Sequence, residues 1–153
     1  MVEERSAARK RCRDIMTSDV KTAGRDTSLR DAAILMRDGD MGSLPVVDGE
    51  KLVGIVTDRD IVVRCVAKGK NPSTPVSEAM TTELFSVKLD DFAFEAIRMM
   101  GDKQVRRIPV VEQDGRLAGI ISMADVALET EDEREIAEAL EEISSGSGFW
   151  SKK

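Results

Sequence analysis

The chain has 153 residues, 41% of them hydrophobic and 34% charged, with a net charge of −6. This composition is typical of a soluble globular protein with one ordinary domain or two small ones, and the negative charge argues against broad electrostatic binding to nucleic acid. We find no apolar run long enough for a membrane span and no signal sequence, so we expect a cytoplasmic protein. The absence of histidine excludes histidine-based triads and histidine metal sites, and Cys12 and Cys65 lack metal-ligand or redox spacing.

The chain opens with a charged segment and then repeats itself. The basic run in residues 1–13 indicates a solvated face, with binding to an anionic partner as the alternative. From Asp14 onward a repeat begins, because Ile15-Met16-Thr17 recurs as Ala79-Met80-Thr81, with Met16 and Met80 64 residues apart. We therefore divide the chain into five further parts: a first repeat (14–70), a linker (71–75), a second repeat (76–129), an acidic helix (130–143) and a flexible tail (144–153).

Each repeat is predicted to form a strand, a helix, a hairpin and a second helix. The strands are expected at 20–23 and 84–87. The helices that follow carry apolar residues at helical spacing, which we assign to the core: Leu29, Ala32, Ala33 and Met36, then Ala93, Ala96, Ile97 and Met100. An Asp-Gly pair between apolar runs, at 48–49 and 114–115, predicts each hairpin turn, and Gly69 is expected to end the second helix, over 61–67.

One such unit would bury little core alone. Two copies packed with approximate two-fold symmetry would bury their sheets and helices, so we predict an α+β fold of two β-α-β-β-α repeats, plus the C-terminal helix. A thin apolar stripe on that helix indicates docking on the module or on a second subunit: Ile136, Leu140 and Ile143. Phe149-Trp150 is either a partner anchor or a frayed end.

A hydroxyl and a carboxylate follow the last strand of each repeat. Thr57 precedes Asp60 by three residues, and Ser122 precedes Asp125 by the same distance. At a strand-to-helix turn, among unpaired N–H groups, this pair suits a polyol or a phosphate. The same spacing also describes a capping box, which needs no ligand. Duplication of both polar residues goes beyond what packing requires.

These motifs resemble a tandem pair of cystathionine-beta-synthase (CBS) domains, the arrangement called a Bateman module. The matching stretches are 15–17, 44–47 and 54–61 in the first repeat and 79–81, 104–111 and 119–126 in the second. The resemblance covers nearly all of residues 14–129. It implies that adenosine-containing ligands bind in clefts between the paired domains: AMP, ADP or ATP, with NAD and S-adenosylmethionine as further possibilities. It also implies a homodimer that regulates another protein.

The resemblance implies roles for ten residues. Asp60 and Asp125 would hold ribose hydroxyls, with Thr57 and Ser122 beside them at the ribose or phosphate. The base would be approached and sandwiched by Thr22, Ser86, Val20 and Leu84. Arg106 and Arg107 would contact phosphate, whereas the first repeat has Gly42-Ser43 there, which makes the two sites unequal.

Three functions are considered for a chain with these features: a regulatory sensor, an interaction module and an enzyme. The favoured one is a regulatory sensor in which the bound ligand shifts the relative angle of the repeats or the position of the acidic helix, which an unidentified partner reads. The alternative is an interaction module that keeps the fold without binding nucleotide. An enzyme is rejected because the sequence lacks a glycine-rich phosphate loop and a histidine base. No nucleic acid or membrane partner is expected.

Overall fold

The computed structural model describes residues 10–129 together with residues 137 and 141. It divides the chain into two compact units, here called the first-repeat unit (20–84 and 114–117) and the second-repeat unit (10–19, 85–113 and 118–129). The predicted α+β class is confirmed, since each unit combines a three-stranded sheet with helices. The predictions for residues 1–9, for the tail and for most of the acidic helix lie outside the described residues.

The elements follow the predicted order in both repeats. In chain order they are α1 (Cys12–Ile15), β1 (Ala23–Gly24), α2 (Leu29–Gly39), β2 (Ser43–Asp48), β3 (Lys51–Thr57), α3 (Asp58–Ile61, continuing as a π-helix over Val62–Val66), a 3-10 helix (Val76–Glu78), β4 (Val87–Lys88), α4 (Ala93–Lys103), β5 (Arg107–Val111), β6 (Leu117–Ser122) and α5 (Met123–Glu129). The sheets have the orders β1-β2-β3 and β4-β5-β6, and the first strand of each runs parallel to the second.

The first strand of each repeat begins later than predicted. β1 pairs only Ala23 and Gly24 with β2, and β4 pairs only Val87 and Lys88 with β5. Residues 20–22 and 84–86 therefore precede the strands, because a strand requires hydrogen bonds to its neighbour and β-propensity alone does not supply them. The candidate base-contacting residues lie in these preceding segments.

The helices confirm most of the predicted pattern. All four stripe residues of α4 are buried, but in α2 Ala33 is exposed, so that prediction is wrong at one position. The second helix of the first repeat starts at Asp58, three residues before the predicted start, because Thr57 caps it. Gly69 ends it as predicted, with φ of +77° in the left-handed region.

A short segment completes the sheet of each unit. In the second-repeat unit, Thr17 and Ile120 exchange two backbone hydrogen bonds of 2.8 and 2.9 Å. In the first-repeat unit, Thr81 and Ile55 exchange two of 2.8 and 3.0 Å. The Ile15-Met16-Thr17 segment, which starts the first repeat in the sequence, thus packs in the second-repeat unit, and residues 76–81, which start the second repeat, pack in the first-repeat unit.

Two glycines permit this close approach. A Cβ atom on Gly119 would lie 2.6 Å from the carbonyl oxygen of Thr17, and one on Gly54 would lie 3.1 Å from that of Thr81. Each glycine also faces a methionine, Met16 or Met80, whose sulfur would be within 3 Å of the added atom. The glycine that starts each repeated motif is therefore a packing requirement within its own unit.

Candidate functional site

The candidate site of the first-repeat unit is built at the junction of β3 and α3. The backbone N–H of Thr57 donates to Oδ2 of Asp60 at 3.0 Å, and the N–H of Asp60 donates to Oγ1 of Thr57 at 2.9 Å. These reciprocal bonds form the capping box that the sequence analysis gave as the alternative to ligand binding. They fix the carboxylate at the start of the helix.

The second-repeat unit has the same arrangement between β6 and α5. The N–H of Ser122 donates to Oδ2 of Asp125, and the N–H of Asp125 donates to Oγ of Ser122, both at 3.0 Å. Both hydroxyl–carboxylate pairs are partly buried. Within each unit, the structure therefore joins the hydroxyl residue to its aspartate, as the functional prediction requires.

The amide groups of the first-repeat turn are used internally, which corrects the expectation of unpaired N–H groups there. In the first-repeat unit the N–H of Asp58 donates to the carbonyl of Gly42 at 2.9 Å, and that of Arg59 donates to Oδ1 of Asp58 at 2.7 Å. With the two capping bonds, the first four amides from Thr57 onward all have partners. Recognition of a ligand at this turn must therefore come from side chains.

An arginine that the sequence analysis did not single out lies beside Asp60. Nε of Arg64 is 3.9 Å from Oδ1 of Asp60, and Nη1 donates to the carbonyls of Ala79 and Met80 at 3.3 Å each. The Asp60 side chain is 17% exposed, so the carboxylate is largely buried with one oxygen in the cap and the other near the guanidinium. The spacing of four residues between Asp60 and Arg64 was the available signal; the second repeat has Glu129 at that position.

The two turns also differ in the residue whose carbonyl faces the start of the helix, which is glycine in the first repeat and arginine in the second. The carbonyl of Gly42 accepts from Asp58, and in the second-repeat unit the carbonyl of Arg106 accepts from the N–H of Met123, again at 2.9 Å. A Cβ atom on Gly42 would lie 3.2 Å from Oδ2 of Asp58, so a carboxylate covers this glycine. Asp58 was not among the predicted site residues.

The other predicted residues are distributed over both units. Val20, Thr22 and Leu84 lie in the first-repeat unit, and Ser86, Arg106 and Arg107 in the second-repeat unit. Arg106 and Arg107 are exposed, and the backbone of Arg106 is tied to α5 by the bond to Met123. Leu84 is exposed, whereas Val20, Thr22 and Ser86 are partly buried. The roles of these six side chains remain predictions.

Neither a metal site nor a membrane span is found among the described residues. Within residues 10–129, 137 and 141, no three acidic, cysteine or histidine side chains group closely enough to hold a metal ion. In the same part of the chain no helix has both the length and the apolar character needed to cross a bilayer.

The sequence and the fold of this chain can be compared with those of known proteins. The model of the CBS domain matches this chain twice, over residues 12–66 and 76–132. The chain belongs to the CBS-domain family. Among its relatives, the CBS domain-containing protein YhcV of Bacillus subtilis is 38% identical over 132 residues, which is 86% of this chain and 94% of that protein.

Another relative is an enzyme. The inosine-5'-monophosphate dehydrogenase of Korarchaeum cryptofilum is 34% identical over 117 residues, 76% of this chain, but the match spans only 24% of that enzyme. The likeness is thus confined to a minor part of the enzyme, whereas the match to YhcV, a CBS domain-containing protein, spans 94% of that protein.

Solved structures of similar proteins hold different ligands. Hypoxic Response Protein I, solved with two coordinated zinc ions, is 37% identical with a TM-score of 0.72, covering 78% of this chain and 98% of that one. CBSX2 in complex with AMP is 28% identical with a TM-score of 0.69, covering 78% and 94%. The CBS domain pair of protein MJ0100, in complex with 5'-methylthioadenosine and S-adenosylmethionine, is 27% identical with a TM-score of 0.68, covering 78% and 94%.

Proposed function

We propose that this CBS-domain protein is a regulatory sensor that binds an adenosine-containing ligand through Asp60 and Asp125. The observation that carries the proposal is the pair of hydroxyl–carboxylate turns, formed with nearly the same geometry in both units. The adenosyl ligands in CBSX2 and in the MJ0100 domain pair support the ligand class. AMP, ADP and ATP are the first candidates, followed by NAD and S-adenosylmethionine.

The capping role of each aspartate is compatible with ribose binding. An ionised carboxylate offers about four lone-pair positions on its two oxygens. In both turns the cap uses one hydrogen bond to Oδ2. The remaining acceptor capacity suits a ribose cis-diol, and charge-assisted hydrogen bonds contribute about 1.5–3 kcal/mol each.

The regulatory part of the proposal is a conformational shift. The protein would act as a cytoplasmic homodimer and would not turn the ligand over. A ligand changes the arrangement of the repeats, or the position of residues 130–143, only if it binds one arrangement more tightly than another. Hydrogen exchange with and without saturating ligand tests this step, and identical protection in both conditions contradicts it.

Calorimetric titration of the purified chain with AMP, ADP, ATP, NAD and S-adenosylmethionine tests the binding step. We expect at least one of them to bind the parent, and Asp60→Asn combined with Asp125→Asn to abolish binding, because asparagine keeps a cap acceptor but loses the charge. Asp14→Asn is the matched control, since Asp14 accepts from the N–H of Arg11 at 3.0 Å in a similar cap outside the site.

The interaction-module alternative is favoured by one observation, the complete internal use of the first four turn amides in the first-repeat unit. If the parent binds none of the five ligands while remaining folded, the sensor proposal is wrong and the aspartates serve only as caps. If the double variant binds as tightly as the parent, the ligand lies elsewhere and the assignment of Asp60 and Asp125 is wrong.

A further inference from the structure

We propose that Arg64 is a positioning residue of the first-repeat site and couples ligand binding at Asp60 to the segment at 79–81. In this role the guanidinium holds the carboxylate on one side and the backbone of that segment on the other. The inference rests on the proposed function, because it takes Asp60 to hold a ribose. It goes further by naming the residue through which binding acts on the backbone of the unit.

The contacts of Arg64 span the carboxylate and the segment. Its Nε lies 3.9 Å from Oδ1 of Asp60, and its Nη1 donates to the carbonyls of Ala79 and Met80 at 3.3 Å each. The cap of the helix uses the other carboxylate oxygen, Oδ2, which accepts from the N–H of Thr57. Oδ1 is therefore the oxygen that keeps its acceptor capacity for a ribose hydroxyl, and Arg64 is the cation beside it.

The segment that Arg64 reaches completes the sheet of the first-repeat unit and leads out of it. Thr81, the residue after Met80, exchanges hydrogen bonds of 2.8 and 3.0 Å with Ile55 of β3. The same segment runs on to the point where the chain leaves the unit, between residues 84 and 85. The backbone that Arg64 holds is therefore both part of the sheet and the start of the connection to the second repeat.

The helix changes its form at Arg64. α3 continues from its α-helical first turn as a π-helix over Val62–Val66, and the N–H of Ala67 donates to the carbonyl of Val62, five residues earlier, at 2.9 Å. The corresponding helix of the second repeat, α5, is α-helical. π-helical turns are rare and occur frequently at functional sites. In this chain the π-helical turn contains the residue that bridges the carboxylate and the segment.

Ligand binding strengthens this bridge by removing water from it. The side chain of Arg64 is 47% exposed and that of Asp60 is 17% exposed. A ribose over Oδ1 covers both charges, and the attraction between opposite charges rises as water is excluded. The guanidinium is then held more firmly on the carbonyls at 79–80, so the pairing of Thr81 with Ile55 opens less often. Because such coupling is reciprocal, the bridge in turn raises the affinity for the ligand.

The second repeat carries an acid at the position of Arg64. Glu129 stands four residues after Asp125, and an ionised carboxylate has no hydrogen to donate to carbonyl groups. Thr17 and Ile120 nevertheless exchange backbone hydrogen bonds of 2.8 and 2.9 Å, as Thr81 and Ile55 do. The second-repeat site is thus an internal reference, with the same backbone pairing but without a guanidinium at this helix position.

Calorimetry with adenosine and AMP tests the inference in the Asp125→Asn protein, which keeps the first-repeat site. We expect Arg64→Gln, which removes the charge, to weaken both probes by the same factor, about fivefold or more, as a coupling free energy of typical size predicts. Arg64→Lys, which keeps a charge but loses the planar fork, should recover part of the affinity. Arg59→Gln, at an exposed arginine of the same helix, is the matched control and should leave adenosine affinity unchanged.

Hydrogen exchange, measured by NMR on the amides of Ile55 and Thr81, tests the coupling itself. In the Asp125→Asn protein we expect saturating adenosine to slow the exchange of both amides by about fivefold or more. At equal saturation, Arg64→Gln should abolish this slowing. Thermal unfolding of each variant verifies that it is folded.

The second-repeat site gives the reference measurement. In the Asp60→Asn protein, which keeps that site, the amides of Thr17 and Ile120 should show no comparable slowing when adenosine binds. Comparable slowing would show that a ligand tightens the sheet without the guanidinium, and it would overturn the role of Arg64.

The outcomes separate the two proposals. If Arg64→Gln binds both probes as tightly as before, the inference is wrong. A loss for AMP alone also overturns it, because Arg64 would then contact the phosphate instead of acting through Asp60. If the Asp125→Asn protein binds neither adenosine nor AMP, the inference is overturned, whereas the sensor function itself fails only if the parent binds none of the five ligands named above.

Discussion

The two units share their packing but differ in the charges around the carboxylate. Both place a glycine against a Met-Thr segment and both form the same hydroxyl–carboxylate cap. The first-repeat helix carries Asp58 and Arg64, and Nε of Arg64 lies 3.9 Å from Oδ1 of Asp60, whereas the second repeat has Met123 and Glu129 at those positions. The features that define the fold are thus duplicated, while the charged side chains of the site helix have diverged.

The largest expected effect tests whether the two cores are equivalent. Leu44 of β2 and Ile108 of β5 are fully buried at matching positions. We expect Leu44→Ala and Ile108→Ala each to lower the free energy of unfolding by about 2–5 kcal/mol, because each substitution leaves a cavity. Urea denaturation measures the loss. Thr82→Ala, at an exposed position, should stay within about 0.5 kcal/mol. A loss confined to one substitution would show that the two cores differ.

The two glycines should distinguish the units. We expect Gly119→Ala and Gly54→Ala to destabilise the protein by about 1–3 kcal/mol through overpacking. Gly119→Ala should cost more, because its Cβ meets a carbonyl oxygen at 2.6 Å, against 3.1 Å for Gly54. Gly24→Ala is the control, since its nearest neighbour would be 3.8 Å away. The reverse order in urea denaturation would contradict the closer approach at Thr17.

Because the second-repeat unit buries the thiol of Cys12, we expect the free energy of unfolding to fall as the pH rises above 9. Burial, with Asp91 and Glu95 adding to it, raises the pKa of Cys12 from 9.0 to about 12. Above pH 9 the unfolded chain therefore releases a proton that the native protein keeps, and stability present below pH 9 is lost as the pH rises toward 12. The loss approaches about 1.4 kcal/mol per pH unit.

A comparison with Cys12→Ala isolates this contribution. Urea denaturation at pH 8 and pH 10 should show a larger loss for the parent than for the variant, by about 1.4 kcal/mol at pH 10. Cys65→Ala, which removes the buried thiol of the first-repeat unit, should keep the parent's additional loss. The same pH dependence in the parent and in Cys12→Ala would contradict the raised pKa.

The smallest effects concern the caps. We expect Thr57→Ala and Ser122→Ala each to lower the free energy of unfolding by about 1 kcal/mol. Each substitution leaves the backbone N–H of the capped aspartate, Asp60 or Asp125, without its side-chain partner. Thr57→Ser, which keeps the oxygen, should recover most of the loss in thermal unfolding. Unequal costs for the two alanine variants would show that the caps, like the surrounding charges, have diverged.

Much of the fold was predictable because its signals are local. The stripe of α4, the Asp-Gly turns and the end of α3 at Gly69 each depend on residues a few positions apart, and the structure confirms them. The starts of β1 and β4 were predicted three residues too early, because β-propensity marks a segment without fixing which of its residues pair with the neighbouring strand. Ala33 was misassigned since periodicity marks a face without fixing the edge of the buried stripe.

The residues of the site likewise fall into those that the sequence identified and those that it did not. Thr57, Asp60, Ser122 and Asp125 were identified because their spacing repeats, and the structure joins each pair as the spacing requires. Asp58 and Arg64 were missed because they have no repeated counterpart. Their importance depends on Gly42 and on the carbonyls at 79–80, which only the folded chain brings near.

The sequence by itself determined that this protein is a tandem CBS pair with two similar hydroxyl–carboxylate turns, because repeated motifs and short-range spacing are written in the order of residues. Only the tertiary structure decided that residues 12–17 complete the second-repeat unit and residues 76–81 the first-repeat unit. It also decided that the first four amides of the first-repeat turn already have partners. The pairing of Thr17 with Ile120 joins residues about a hundred positions apart, and no local pattern predicts such a contact.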